Sequence, residues 1–200
     1  YASYTSTGGT TSGMSGGYSS LLNSLCCGGS SASFNADSTN LTKVTTFTSR
    51  TTADSKVYIE QIGNSNTITV NQSGTKNNEV SYSGSGSSNT VTITQSGNSS
   101  TQANYAGLSV NGNSNTVNVT QTSTGGAKGV FANVNDSSNN VTILQQDSGS
   151  HYLNLNLSGG SKTVDVTQSG SASQMADITL SGAGSRSLTL TQTGSTQQYY

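Results

Sequence analysis

Residues 66–72, NTITVNQ, place Ile68 and Val70 two apart between polar neighbours, with Asn66 and Gln72 at the ends. Strict alternation over a short stretch is the pattern of a strand with one buried face. The same seven-residue pattern returns as NTVTITQ at 89–95, NTVNVTQ at 115–121, NNVTILQ at 139–145, KTVDVTQ at 162–168 and RSLTLTQ at 186–192. From Gln72 the steps to Gln95, Gln121, Gln145, Gln168 and Gln192 are 23, 26, 24, 23 and 24 residues. Six copies at nearly constant spacing are the signature of a repeat architecture, with the small variations marking loop insertions.

A second alternating segment precedes each copy: Val57/Ile59, Val80/Tyr82, Ala106/Leu108/Val110, Val130/Ala132/Val134, Leu153/Leu155/Leu157 and Ile178/Leu180. Gly, Ser and Asn separate the two segments, so each repeat reads as strand, tight turn, strand, turn. A single coil of this kind cannot bury its apolar face, whereas coils stacked at about 4.8 Å per layer bury a narrow continuous core. The expected fold is therefore all-β: a β-solenoid of about six strand-turn-strand repeats over 57–194, preceded by an arm at 1–56 and followed by a tail at 195–200. Stacking like over like also brings Gln and Asn side chains into register, where their amides form ladders along the axis.

Composition agrees with an extended repeat rather than a globule. Only 29% of residues are hydrophobic and 8% charged, and the net charge is -1. Low charge leaves no self-repulsion to hold the chain open, so the few apolar side chains must be placed economically and supported by backbone hydrogen bonds. The absence of Pro suits a long ladder, because each Pro in a central strand deletes a donor. No run of about 18 apolar residues marks a membrane span. A chain opening Tyr-Ala-Ser without Met reads as a mature form released from a signal segment, which predicts an extracellular address.

Residues 61–72, QIGNSNTITVNQ, closely resemble the curlin repeat Q-x-G-x-x-N-x5-Q of the major curli subunit. That resemblance implies a β-solenoid, secretion in an unfolded state, and assembly into amyloid fibres that build biofilm matrix and adhere to surfaces. On the matching residues it implies inward ladder positions at Gln61, Asn66 and Gln72, then Asn89/Gln95, Asn115/Gln121 and Asn139/Gln145, with Gln168 and Gln192 continuing the series. It also brings in a secretion channel and a nucleator as partners beside further copies of the chain. The similarity spans about residues 57–194. Within it Gly84, Val110, Val134 and Leu157 replace the leading Gln, and Lys162 and Arg186 replace the Asn.

The arm is rich in Gly, Ser, Thr and Tyr over 1–18, and residues 20–27, SLLNSLCC, put Leu21, Leu22, Leu25 and Cys26 on one face of a two-turn helix. Such a helix serves either as a lid on the first solenoid layer or as a fastening on a neighbouring subunit. Adjacent cysteines rarely bond to each other, since disulfide geometry wants Cα atoms further apart than a trans peptide allows. Cys26 and Cys27 therefore read either as intersubunit disulfide partners or as small buried hydrophobes.

Nothing in the chain carries recognisable catalytic chemistry. His151 stands alone at a strand start, without a Ser/Asp constellation, and reads as a solvent-facing residue. Two Cys and one His fall short of the four ligands of a zinc site. Asp136, Asp147, Asp165 and Asp177 lie in different repeats and read as gatekeepers against aggregation. Seven Lys and Arg spread along the chain offer no nucleic-acid groove. The sequence thus points to a non-enzymatic subunit without cofactors, homopolymerising through strand stacking, with no nucleic-acid partner and no membrane insertion. The strand Leu188–Gln192 of one copy is expected to pair with the first layer, Val57 to Gln61, of the next, placing Val57, Ile59, Leu188 and Leu190 at the joint. The competing reading is a monomeric β-solenoid binding protein: a phage or cell-surface adhesin, or an ice-binding protein that uses the outward Thr-x-Thr rows.

Overall fold

The structure is a computed structural model that describes residues 2–5, 33–36, 55–74, 78–97 and 103–200. The helix expected near 20–27, with Cys26 and Cys27, lies outside the described residues. Two short strands, β1 (Ala2–Thr5) and β2 (Ser33–Ala36), pair antiparallel. All other described strands are parallel and belong to two sheets.

The first sheet stacks six strands: β4 (Thr67–Gln72), β6 (Thr90–Ser96), β8 (Thr116–Ser123), β10 (Asn140–Asp147), β12 (Lys162–Gln168) and β14 (Arg186–Gln192). The second stacks seven: β3 (Ser55–Ile62), β5 (Asn78–Ser85), β7 (Asn104–Val110), β9 (Lys128–Val130), β11 (His151–Asn154), β13 (Gln174–Asp177) and β15 (Gln198–Tyr199). Because the chain alternates between sheets, each coil contributes one strand to each, and the fold is a parallel β-solenoid. The residues expected as a tail at 195–200 supply β15, an added strand of the second sheet.

Register follows the sequence repeat. Val91, Val117, Val141, Val164 and Leu188 stand in one column with Ile68, and Ile93, Val119, Ile143, Val166 and Leu190 in another with Val70. Facing them across the interior are Val80, Ala106, Val130, Leu153 and Ala176. Each buried aliphatic side chain contributes on the order of 1.5–3 kcal/mol, so this thin core is what holds so polar a chain together.

The bend from the second sheet to the first is made by the same short arc in successive coils. Gly63, Gly86 and Gly112 adopt φ of 116, 103 and 87°, and Ser65, Ser88, Ser114 and Ser138 hold φ between 58 and 64°. A Cβ at Gly86 would overlap the carbonyl oxygen of Gly112 in the next coil, so glycine is needed for close stacking as well as for its backbone angle.

The outer faces differ. Outward residues of the first sheet are short and polar, including Thr67, Thr90, Thr163, Asp165 and Thr189, all exposed. On the second sheet, Tyr105, Tyr152 and Met175, with Phe131 just past β9, are buried yet stand outside the central cluster, and the Tyr105 and Phe131 rings are 5.8 Å apart.

Candidate functional site

A hydrogen-bonded column of six glutamines runs along the ends of the first-sheet strands. Gln72 Nε2 donates to Gln95 Oε1 at 2.9 Å, and the relay continues through Gln121, Gln145, Gln168 and Gln192 at 2.8–2.9 Å. Each inner Gln also reaches across the coil: Gln95, Gln121, Gln145 and Gln168 donate to the carbonyls of Glu79, Tyr105, Gly129 and Tyr152 at 2.9–3.0 Å. The amides are fully buried from Gln95 to Gln168, and a buried amide is tolerable only when its donors and acceptors are used.

Asn66, Asn89, Asn115 and Asn139 form a second column at the strand starts, with the opposite sense. The Oδ1 of Asn66, Asn89 and Asn115 accepts from the backbone N–H of the next Asn in the series, and that of Asn139 from Lys162, at 2.9–3.1 Å. The Nδ2 groups of Asn66, Asn89 and Asn115 close the glycine arc of the following coil, donating to the carbonyls of Gly86, Gly112 and Asp136 at 2.7–2.9 Å. Where the sequence turns to Lys162 and Arg186, the role of donor to an arc persists: Lys162 Nζ reaches the Gly182 carbonyl at 2.6 Å and Arg186 that of Leu180 at 2.9 Å. Neither cation has an acceptor oxygen, so the relay to the next backbone N–H stops at Lys162. Gln61 belongs to neither column. It stands beside Gly84, and its Oε1 accepts from the Tyr82 hydroxyl, whose pKa burial pushes up to about 12.

A third column was not anticipated from the sequence: Asn78, Asn104, Lys128, His151, Gln174 and Gln198 at the starts of the second-sheet strands. Its steps are 26, 24, 23, 23 and 24 residues, the solenoid period itself, which is the signal that could have revealed it. His151, expected in solvent, is completely buried in this column, with Nε2 2.7 Å from the Gln146 carbonyl oxygen. Below it Lys128 Nζ sits in a cage of carbonyls, donating to Gly126, Asp147 and Gly149 at 3.0, 2.9 and 2.5 Å. Burial lowers the Lys128 pKa to about 8 against the pull of Asp147. Burial, and then the Lys128 charge, lower that of His151 to about 4.

The solenoid's two ends expose apolar side chains. Val57 and Ile59 are each 46% exposed on β3, and Ile62 is 66% exposed, whereas Val80 and Tyr82 one coil inward are fully covered. At the far end Leu188 is partly covered and Leu190 nearly buried. The two segments expected to pair between copies lie in different sheets, Leu188–Gln192 in the first with β14 and Val57–Gln61 in the second with β3. By column, Leu188, Leu190 and Gln192 of β14 correspond to Ile68, Val70 and Gln72 of β4 at the opposite end of the first sheet. Backbone direction at both edges follows from the ladder. The Ser169 N–H donates to the Gln192 carbonyl, so Gln192, Leu190 and Leu188 face β12, and the alternate residues Ser187, Thr189 and Thr191 face away from it. On β4 the N–H groups of Thr67 and Ser73 go to β6, which directs Ile68 and Val70 to the other side, where no described strand pairs.

Among the described residues no cluster of three His, Cys, Asp or Glu side chains could hold a metal ion, and no helix is long and apolar enough to cross a membrane. Stacked amide columns and apolar strand edges define a structural repeat protein. The family model for the curlin associated repeat matches residues 63–97 and 86–122, and these residues belong to the curlin-repeat family. That is a family of structural amyloid subunits, not of enzymes, and repeat and fold together fit a curli-like structural subunit. No curated protein and no solved structure matches the chain.

Proposed function

We propose that this chain is the subunit of an extracellular curli-like fibre, growing head to tail by strand stacking and serving in biofilm matrix or surface adhesion. The observation that carries this reading is the unbroken Gln column between strand edges that match in register. Gln192 Nε2 continues the direction of a relay whose first member is Gln72, and the apolar columns meet as Leu on Ile and Leu on Val. Parallel edges of this kind template further strands. A secretion channel and a nucleator are the additional partners, by analogy with the family. Cys26 and Cys27 are proposed to cross-link neighbouring copies in the oxidising exterior, and denatured fibres would then run differently on gels with and without reductant.

Electron microscopy and fibre diffraction of the purified protein test the reading. Long filaments with a meridional repeat of about 4.7–4.8 Å are expected. A monodisperse 20.3 kDa species would instead favour a monomeric binding protein using the exposed Thr face, a face that Asn118, Leu144 and Asp165 interrupt.

A further inference from the structure

The two sheets stop at different heights. At one end β3 and β4 belong to the same coil, and among the described residues both are the last strands of their sheets. At the other, the first sheet ends in β14, while the second runs one strand past β13 to β15. Gln198 lies beside Gln174 and Tyr199 beside Met175. The Tyr200 N–H donates to the Met175 carbonyl at 3.0 Å, its carbonyl accepts from the Asp177 N–H at 2.8 Å, and Gln174 Nε2 reaches the Thr196 carbonyl at 3.2 Å. The step leaves a notch beside β15, a groove of about 360 Å³ lined by Leu190, Thr191 and Gln192 of β14 and by Gln198 and Tyr200.

This step conflicts with simple stacking. A second copy that lays its β4 on β14 brings its β3 in the same coil, and the place for that strand is on β13, where β15 already lies. If its β3 lands on β15 instead, its β4 stands one strand spacing, about 4.8 Å, too high, and the notch is sealed in as a void. We propose that β15 is a displaceable plug, which holds the edge of β13 until the β3 strand of a second copy takes it over. The proposal rests on the head-to-tail reading above.

The two contenders for β13 are unequal. β15 is two residues long and β3 eight. By register, β3 would set Val57 over Ala176 and Ile59 over Ile178, covering two side chains that are each 46% exposed in the isolated chain. Over Ala176 the plug places Tyr200, itself 57% exposed, and the paired residues of β15 do not extend over Ile178. Exchange therefore trades a short strand for a long one, buries more apolar surface, and lets β4 fill the notch in the same step.

Tyr200→Pro removes the N–H that bonds Met175 while leaving β3, β4 and β14 intact. Gln198→Pro, one parity step back on the same edge, serves as a second variant. Two measurements are made on soluble protein whose β content is verified by circular dichroism: affinity for a labelled peptide of residues 55–62, SKVYIEQI, and the rate of seeded filament growth. Both variants are expected to bind the peptide at least about tenfold more tightly than the unsubstituted chain and to elongate several-fold faster. Equal peptide affinity overturns the plug whatever the filaments do, as does slower growth of both variants, which would make β15 part of the joint. If the peptide separates the variants from the parent and none forms filaments, exchange at β13 stands and the fibre reading falls.

Discussion

Gln168 joins two directions of the solenoid at one amide: its Nε2 donates to Gln192 Oε1 at 2.8 Å and to the Tyr152 carbonyl at 3.0 Å. The first bond runs along the axis and the second across the coil, so the column fixes both the stacking register and the separation of the two sheets.

Gln145 makes the same axial bond, and its Nε2 reaches the carbonyls of both Gly129 and His151. Gln145→Leu keeps the volume but strands the Gln168 acceptor and two buried carbonyls. Each unsatisfied buried group costs about 1–3 kcal/mol, so a loss of at least about 2 kcal/mol is expected in urea or thermal unfolding. Gln192→Leu, in the outermost member of the column, should lose measurably less.

The joint is tested by moving one proline along β14. Thr189 directs its N–H away from β12, so Thr189→Pro leaves the inner ladder complete and places a ring where an incoming strand would pair. It should stay soluble and β-rich and, added in trace amounts, should stop wild-type seeds from elongating. Leu190→Pro removes a bond to β12 and should lower the melting temperature instead. Wild-type elongation in the presence of the Thr189 variant would remove β14 from the joint.

Acid should loosen the centre of the solenoid through His151. Its pKa is about 4 when folded against about 6.5 when free, so the unfolded chain binds the proton more readily. Stability is unaffected above pH 6.5 and falls as pH drops from 6.5 to 4, by on the order of 3 kcal/mol at most. Lys128, held at about 8 against 10.5, acts at the other limb: its buried charge is a full penalty below pH 8, and stability rises as pH climbs from 8 towards 10.5. His151→Gln, which repeats the Gln174 found one coil further on, should flatten the acid limb in pH-dependent unfolding. An unchanged limb would assign it to carboxylates instead.

Two glycines with similar backbone angles separate strain from crowding. Gly86 (φ 103°) and Gly184 (φ 105°) both lie in the left-handed region, but a Cβ at Gly86 meets the next coil and one at Gly184 meets nothing within 4 Å. Gly184→Ala should cost about 1 kcal/mol from strain alone. Gly86→Ala should cost more, because the arc of Gly112 must also move, and paired denaturation curves would show the difference.

The repeat was legible because alternation and spacing are properties of the chain itself. Ile68, Val70 and their successors declared strands, and the 23–26 residue step declared the stack. His151 misled because its neighbours in sequence say nothing of what covers it. Only its distance from Lys128 and Gln174, one solenoid period on either side, shows that it sits in a buried column. The sheet to which an edge belongs was equally hidden. Leu188 and Val57 read alike as apolar strand residues, and only the order of strands reveals that they terminate different sheets. β15 escaped notice because two residues, Gln198 and Tyr199, carry no periodicity.

All thirteen described solenoid strands run the same way, so the surface at β3 and β4 differs chemically from the surface at β14 and β15. No twofold rotation can map one onto the other, and a contact between them is heterologous. Two copies so joined still present one surface of each kind, as do three or thirty. Repeating that contact by near-translation along the axis never returns to its starting point. A size limit on such an assembly is therefore absent from its symmetry and must come from kinetics or from something that binds one end.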